Sequence, residues 1–236
     1  MKHELAAVAL LPLLFAQAVR VRSKTPRLPE PRGKRCGTHG SGNPLRLFIV
    51  GDSAAAGVGV STQKEALSGR LVSQLGTDFR VEWKLAAKTG HRASDVRSML
   101  EAQTPEAFDV AVTSIGVNDV THLTRLSKWT RQMQDIAGLL ESRFHTRHML
   151  LTGLPPMHMF PALPQPLRWY LGARARSFNR ELKLIAERYE SCEFVSIDYP
   201  LEPAYMAADG FHPGAPAYVL WAGHAADVIR RRFYRP

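Results

Sequence analysis

Cysteine is scarce: Cys36 and Cys192 are the only two in 236 residues, and they form no C-x-x-C pair. That excludes a cysteine-built zinc centre and a disulfide framework, and both thiols are expected to be free. Nucleic-acid signatures are absent as well. There is no RNP-like aromatic pattern, no zinc-finger spacing and no evident recognition helix, so no nucleic-acid partner is expected. The net charge of +10 does not reverse that reading, because the excess is concentrated near the ends: seven basic residues fall between Arg20 and Arg35, and the chain closes on RRRFYRP. A catalytically silent module using these basic stretches on an anionic surface is the less favoured alternative. No internal repeat is visible, and 45% hydrophobic with 22% charged residues suits one folded domain with a sizeable core.

The sequence also lacks an unbroken apolar run of the ~20 residues that a spanning helix requires. The longest, LAAVALLPLLFAQAV at 5–19, has 15. Ala16-Gln17-Ala18 has the small-x-small form of a cleavage site, but the dense positive charge follows the run rather than preceding it. By the positive-inside tendency, an uncleaved anchor with the domain on the cytoplasmic face is favoured over an exported form. The chain divides into a hydrophobic signal or anchor segment at 1–22, a linker rich in Pro, Gly and basic residues at 23–44, and a folded domain at 45–236.

What is present beyond residue 44 alternates. Short apolar runs rich in β-branched and aromatic residues at 45–50, 79–87, 108–115, 148–154 and 193–197 predict strands. Helical periodicity covers 63–75, 94–102, 126–144, 167–189 and 218–233. Five strands alternating with helices predict an α/β domain with a parallel sheet covered on both faces. Ligand chemistry in such a sheet belongs at the carboxyl edge of its strands.

The first strand runs to that edge as LFIVGDSAAAGVGV, residues 47–60. A phosphate-cradling loop is excluded, since five residues separate Gly51 from Gly57 and Val58 stands where lysine is needed. A dinucleotide fingerprint fails because Thr62 occupies its third glycine, and G-x-S-x-G fails at Ala55. What remains is Ser53 at a strand-to-helix turn, with small residues after it that are expected to keep the mouth of a site open. A neutral serine hydroxyl needs a base to act as a nucleophile. Of nine histidines, His212 has a carboxylate at short spacing in a turn-rich segment, Asp209-Gly210-Phe211-His212-Pro213-Gly214. Asp209 would fix the imidazole tautomer and stabilise the imidazolium. Donors for an oxyanion are offered by Asn118, in Gly116-Val117-Asn118-Asp119 after the third strand, and by the backbone N–H of Gly90 after the second. Taken singly, these are also ordinary turn residues.

Gly51-Asp52-Ser53, Gly90, Gly116-x-Asn118-Asp119 and Asp209-x-x-His212-Pro213 resemble, in order, the four sequence blocks of the SGNH hydrolases, the GDSL-type esterases and lipases. The resemblance covers about residues 45–233. It implies a three-layer α/β/α flavodoxin-like fold, no metal or other cofactor, and hydrolysis of carboxylic esters or, in some members, thioesters and sugar acetyl groups. By position, Ser53 resembles the nucleophile, His212 the base and Asp209 its orienting acid. The N–H groups of Ser53 and Gly90 with the Asn118 side chain resemble the oxyanion hole. Ala54 departs from the leucine of GDSL, which bears on the subfamily more than on the chemistry.

An acyl or lysophospholipid-like ester is the expected substrate, with a carbohydrate O-acetyl group as the alternative, and membrane association through residues 5–19 fits the first. A monomer is expected. His91, His122 and His158 are read as loop histidines, Asp52 as a turn brace and Asp119 as a hydrogen-bonding partner of neighbouring loops. The proline-rich segment 154–170 is expected beside the site, either shaping an acyl pocket or packed on its own domain.

Overall fold

The computed structural model describes residues 2–197 and 202–234, and side chains from Leu10 onward. The first part of the apolar run, residues 5–9, thus lies outside the described side chains. The core is built on the apolar runs. In β2 (Asn43–Gly51), Leu47, Phe48, Ile49 and Val50 are fully buried. It pairs in parallel with β3 (Phe79–Ala87) on one side and β4 (Val110–Ser114) on the other, and β5 (His148–Thr152) and β6 (Cys192–Val195) extend the sheet beyond β4. Every residue of β4 and β5 is buried, as expected for strands covered on both faces.

The sheet has six strands among the described residues, where the sequence pattern predicts five, and it is not wholly parallel. The extra strand is β1 (Cys36–His39), antiparallel to β3 at the edge, giving the order β1-β3-β2-β4-β5-β6. It lies within the stretch expected to be a linker. All four of its residues are exposed, so it is held by main-chain pairing and leaves no hydrophobic signature.

Helices α3 (Leu67–Leu75) and α8 (Ala215–Phe233) pack together, while α4 (Ala93–Ala102), α6 (Leu126–Ser142) and α7 (Leu167–Arg188) form a second row. Right-handed crossovers with this strand order place the two groups on opposite faces, which makes three layers. Local chemistry sets several boundaries. The predicted helix at 63–75 starts only at Leu67, because the buried Gln63 side chain is engaged with the Ala56 carbonyl (2.9 Å) and the Ser68 hydroxyl (2.8 Å). Helix α8 starts earlier than predicted, on Gly214 as cap and a proline in its first turn.

The N-terminal segment is helical, α1 (Lys2–Lys24). Leu14 is buried in the core cluster, and Leu10 and Val21 pack against it. The Gln17 side chain donates to the Gln165 carbonyl (2.7 Å) and accepts from the Leu167 N–H (3.1 Å) at the start of α7. Leu11, Leu13, Phe15 and Val19 are exposed. Among the described residues no helix is long and apolar enough to cross a membrane.

Candidate active site

The sheet register converges three loops. Gly51 pairs with Ala87 on one side and with Ser114 on the other, so the loops leaving β2, β3 and β4 emerge side by side at the carboxyl edge. Ser53 follows Gly51 by two residues and opens the short helix α2 (Ser53–Ala56). Asp52 caps that helix, accepting the Ala54 N–H at 3.1 Å, and its own N–H donates to the Ser114 carbonyl at 3.0 Å. As the first residue of α2, Ser53 has an N–H with no intrahelical acceptor.

A fourth loop brings the imidazole. Asp209 and Gly210 form a tight turn in which Gly210 takes φ +68°, and Asp209 Oδ1 accepts the N–H groups of Phe211 and His212, both at 3.0 Å. Ala207 N–H bonds the His212 carbonyl (2.8 Å) and Gly214 N–H the Tyr205 carbonyl (2.7 Å), which closes the loop into a clip. Within it, His212 Nδ1 lies 2.5 Å from Asp209 Oδ2, and His212 Nε2 lies 2.9 Å from Ser53 Oγ. Ser53, His212 and Asp209 therefore form one hydrogen-bonded chain across 159 residues of sequence between the first two.

Burial opposes ionisation of Asp209, but the hydrogen bonds from the His212 ring and from the backbone N–H groups of His212 and Phe211 outweigh it and hold its pKa below the ordinary carboxylate value. An anionic partner is thus kept on one face of the imidazole while the other meets the serine hydroxyl. Asp52 is driven the other way. Burial pushes it up to about 7, with the nearby Asp119 adding to the effect against the Ala54 N–H and His212. Burial also raises the pKa of Asp119, which accepts the Ala93 N–H at 2.9 Å and ties α4 to the loop after β4.

Asn118 lies in α5 (Val117–Thr121), and one hydrogen of its amide is donated to the His91 carbonyl at 3.0 Å, next to Gly90. The amide carries a second hydrogen. Gly90 takes φ +83°, and a Cβ there would meet nothing within 4 Å, so it sits in open space. Of the remaining histidines, His122 bonds the Asn118 carbonyl (2.8 Å) and is exposed, and the exposed His158 lies 3.5 Å from Arg176 Nη1. The two cysteines are free, Cys36 exposed and Cys192 buried. No group of three or more His, Cys, Asp or Glu residues able to hold a metal occurs among the described residues.

The small residues after Ser53 do something other than hold a mouth open. Ala55 and Ala56 are fully buried, and a Cβ on Gly57 would collide with Ala66 and Pro31. A Cβ on Gly59 would strike the Pro213 carbonyl oxygen and lie 3.0 Å from Ala207 Cβ. Gly59 therefore lets the serine turn touch the histidine clip backbone to backbone. Sequence reading also missed Tyr218, whose buried hydroxyl lies 3.1 Å from the Ala54 carbonyl and 2.8 Å from that of Val58, so α8 buttresses the serine turn. In the proline-rich loop, Leu154, Met157, Phe160 and Leu163 are buried, and Phe160 meets Phe211 edge to face at 5.8 Å. Those side chains pack on their own domain and support the residue beside His212.

Residues 49–220 match the model of the GDSL-like Lipase/Acylhydrolase family. The chain belongs to that family. It is 28% identical over 242 residues to a GDSL-like esterase of Mycobacterium tuberculosis, covering 92% of this chain and 74% of the relative. Among solved structures, a carbohydrate esterase family 2 enzyme of Corynascus thermopiles (Myceliophthora fergusii) superposes with TM-score 0.65 at 15% identity, covering 87% of this chain and 68% of the other. The psychrotrophic esterase EstA from Pseudoalteromonas sp. gives TM-score 0.62 at 16% identity, covering 81% and 100%. These likenesses agree with an α/β fold around a mostly parallel sheet. The family assignment makes the chain a hydrolase acting on esters.

Proposed function

We propose that this hydrolase cleaves carboxylic esters through an acyl-enzyme formed on Ser53. The observation that carries the reading is the continuous chain Ser53 Oγ, His212 Nε2, His212 Nδ1, Asp209 Oδ2 at 2.9 and 2.5 Å. Ser53 Oγ attacks the ester carbonyl carbon while His212 Nε2 takes its proton, and Asp209 stabilises the imidazolium. The N–H groups of Ser53 and Gly90 and the second amide hydrogen of Asn118 receive the oxyanion. The tetrahedral intermediate collapses, the C–O bond to the leaving group breaks, and His212 returns the proton to the departing alkoxide. Water, deprotonated by His212, then attacks the acyl carbon and releases the carboxylic acid and Ser53.

A lipid-like acyl ester taken from a bilayer surface is the substrate class this reading favours. Its support is the exposed side of α1, where Leu11, Phe15 and Val19 recur every fourth residue, Leu13 is exposed as well, and Arg20, Arg22 and Lys24 follow directly. Exposed apolar side chains followed by a basic block suit contact with a bilayer that carries anionic headgroups.

The test is Ser53→Ala assayed on p-nitrophenyl esters of graded acyl length, beside an acetylated oligosaccharide. The variant should be inactive, and the wild type should favour the longer acyl chains. A Ser53→Ala protein working at the wild-type rate would overturn the mechanism, and a wild type confined to the acetylated sugar would overturn the substrate class.

A further inference from the structure

The turn that carries Gly90 is exposed from Lys88 to Gly90, and no packing holds the glycine in place. Its geometry is set by hydrogen bonds on either side. On one side the His91 carbonyl accepts from Asn118 Nδ2 at 3.0 Å, and the His91 N–H closes the turn onto the Lys88 carbonyl at 3.2 Å. On the other side both donors of Thr89 are taken by one carboxylate oxygen: Glu30 Oε1 accepts the Thr89 N–H at 2.7 Å and the Thr89 Oγ–H at 2.8 Å.

Glu30 is itself anchored. Its second oxygen is 2.8 Å from Arg35 Nη1, while Arg35 Nη2 donates to the Ala87 carbonyl at the end of β3 and the Arg35 carbonyl accepts the Leu85 N–H at 2.7 Å. Pro31 is buried against Gly57, and Arg32 bridges to Thr62. The carboxylate is therefore held through Arg35 by the sheet edge, and the segment that carries it is seated through Pro31 against the serine turn. Burial works against its charge, yet the bonds from Thr89 and Arg35 prevail and hold its pKa below the ordinary value. An ionised acceptor is what makes both bonds to Thr89 strong.

We infer that Glu30 is a positioning residue for the oxyanion site, a carboxylate from the N-terminal segment that fixes Thr89 so that the next N–H, that of Gly90, points at the reacting carbonyl. This rests on the acyl-enzyme reading above. The residue lies outside the 49–220 stretch that matches the family, so the brace is supplied by a part of the chain the family pattern does not contain. Gly90 is thus clamped between two neighbours, Thr89 bound to Glu30 and His91 bound to Asn118. Losing either clamp lets the donor drift while leaving the nucleophile and base untouched.

The experiment compares Glu30→Ala and Glu30→Gln with the wild type in the full chain, using p-nitrophenyl acetate and a trifluoromethyl ketone whose hemiketal places an oxyanion in the site. Removing a whole oxyanion donor costs ~10² to 10³ in kcat, and loosening one is expected to cost about tenfold. Glu30→Ala should therefore lower kcat about tenfold with KM within about twofold, and weaken the ketone in parallel, since only transition-state binding is lost. Glu30→Gln keeps one acceptor oxygen for Thr89 but gives up the charge and the bond from Arg35, and should recover part of the loss. Wild-type kcat in Glu30→Ala, or equal losses in both variants, overturns the inference. Should Glu30→Ala fail to fold, Thr89→Val takes its place: a fall in kcat at unchanged KM supports the brace, and no fall overturns it. Ser53→Ala in the same assay separates the two levels, because activity there would overturn the acyl-enzyme reading itself, whereas an inactive Ser53→Ala beside an unaffected Glu30→Ala overturns the brace alone.

Discussion

Asp52 stands beside the serine with its carboxyl out of water and its pKa pushed up to about 7. In the unfolded chain an aspartate gives up its proton near pH ~4. Between that value and about 7 the folded protein holds a proton that the unfolded chain has lost, so Asp52 makes stability fall as pH rises through this window. The slope is at most about 1.4 kcal/mol per pH unit. Asp209, held below the ordinary value, stays ionised in both states across the window, and its own contribution is lost only at lower pH. Asp52→Asn keeps a side-chain oxygen for the Ala54 N–H and removes the titration. Thermal melts from pH 4 to 8 should show the Tm of the variant gaining on the wild type up to about pH 7 and running parallel above it. A constant difference across the whole range would show that Asp52 is not held neutral by burial. At this scale the sequence announced the residue types but not their states. The motif places an aspartate next to the serine, yet whether it is a solvated cap or a buried acid depends on the burial the fold imposes, to which the like charge of Asp119, 67 positions away in the chain, adds.

At the scale of elements, apolar runs made β2 to β6 readable, because strands covered on both faces must be hydrophobic. The same logic hid β1, whose exposed Cys-Gly-Thr-His has nothing to bury. It hid Glu30 too, since one carboxylate in a proline-rich stretch has no periodic signature, and its partner Thr89 is 59 residues away. Gly59 was visible, but its use was misread, because the feature that demands a glycine is the Pro213 carbonyl of another loop. Gly59→Ala would force a side chain into that contact at φ +112°, where L-residues are strained. The expected result is a loss of about 1–3 kcal/mol in urea unfolding from the backbone strain, together with a fall in kcat as His212 is displaced from Ser53. A variant that folded with full stability and full kcat would show that the two loops move apart at no cost.

For the whole molecule, α1 presents leucine and phenylalanine outward beside a block of arginine and lysine, and it is fastened to the start of α7 by Gln17. Replacing Leu11 and Phe15, one turn apart on the exposed side, together by glutamate alters neither Gln17 nor its partners. The doubly substituted chain should lose co-sedimentation with vesicles rich in phosphatidylglycerol while hydrolysing p-nitrophenyl acetate at the wild-type kcat. Unchanged sedimentation would place the lipid contact elsewhere.

The 159-residue span between Ser53 and His212 also bears on how activity is acquired. A chain emerging during synthesis completes the serine turn long before the histidine clip exists, and α8, which holds the turn through Tyr218, follows the clip. On the proposed mechanism the nascent protein is therefore inert until one of the longest-range contacts among its described residues closes, and such long-range closure is the slow, entropically costly step of folding. Recovery of esterase activity after dilution from denaturant would then time the final docking of the C-terminal helix rather than the formation of the sheet.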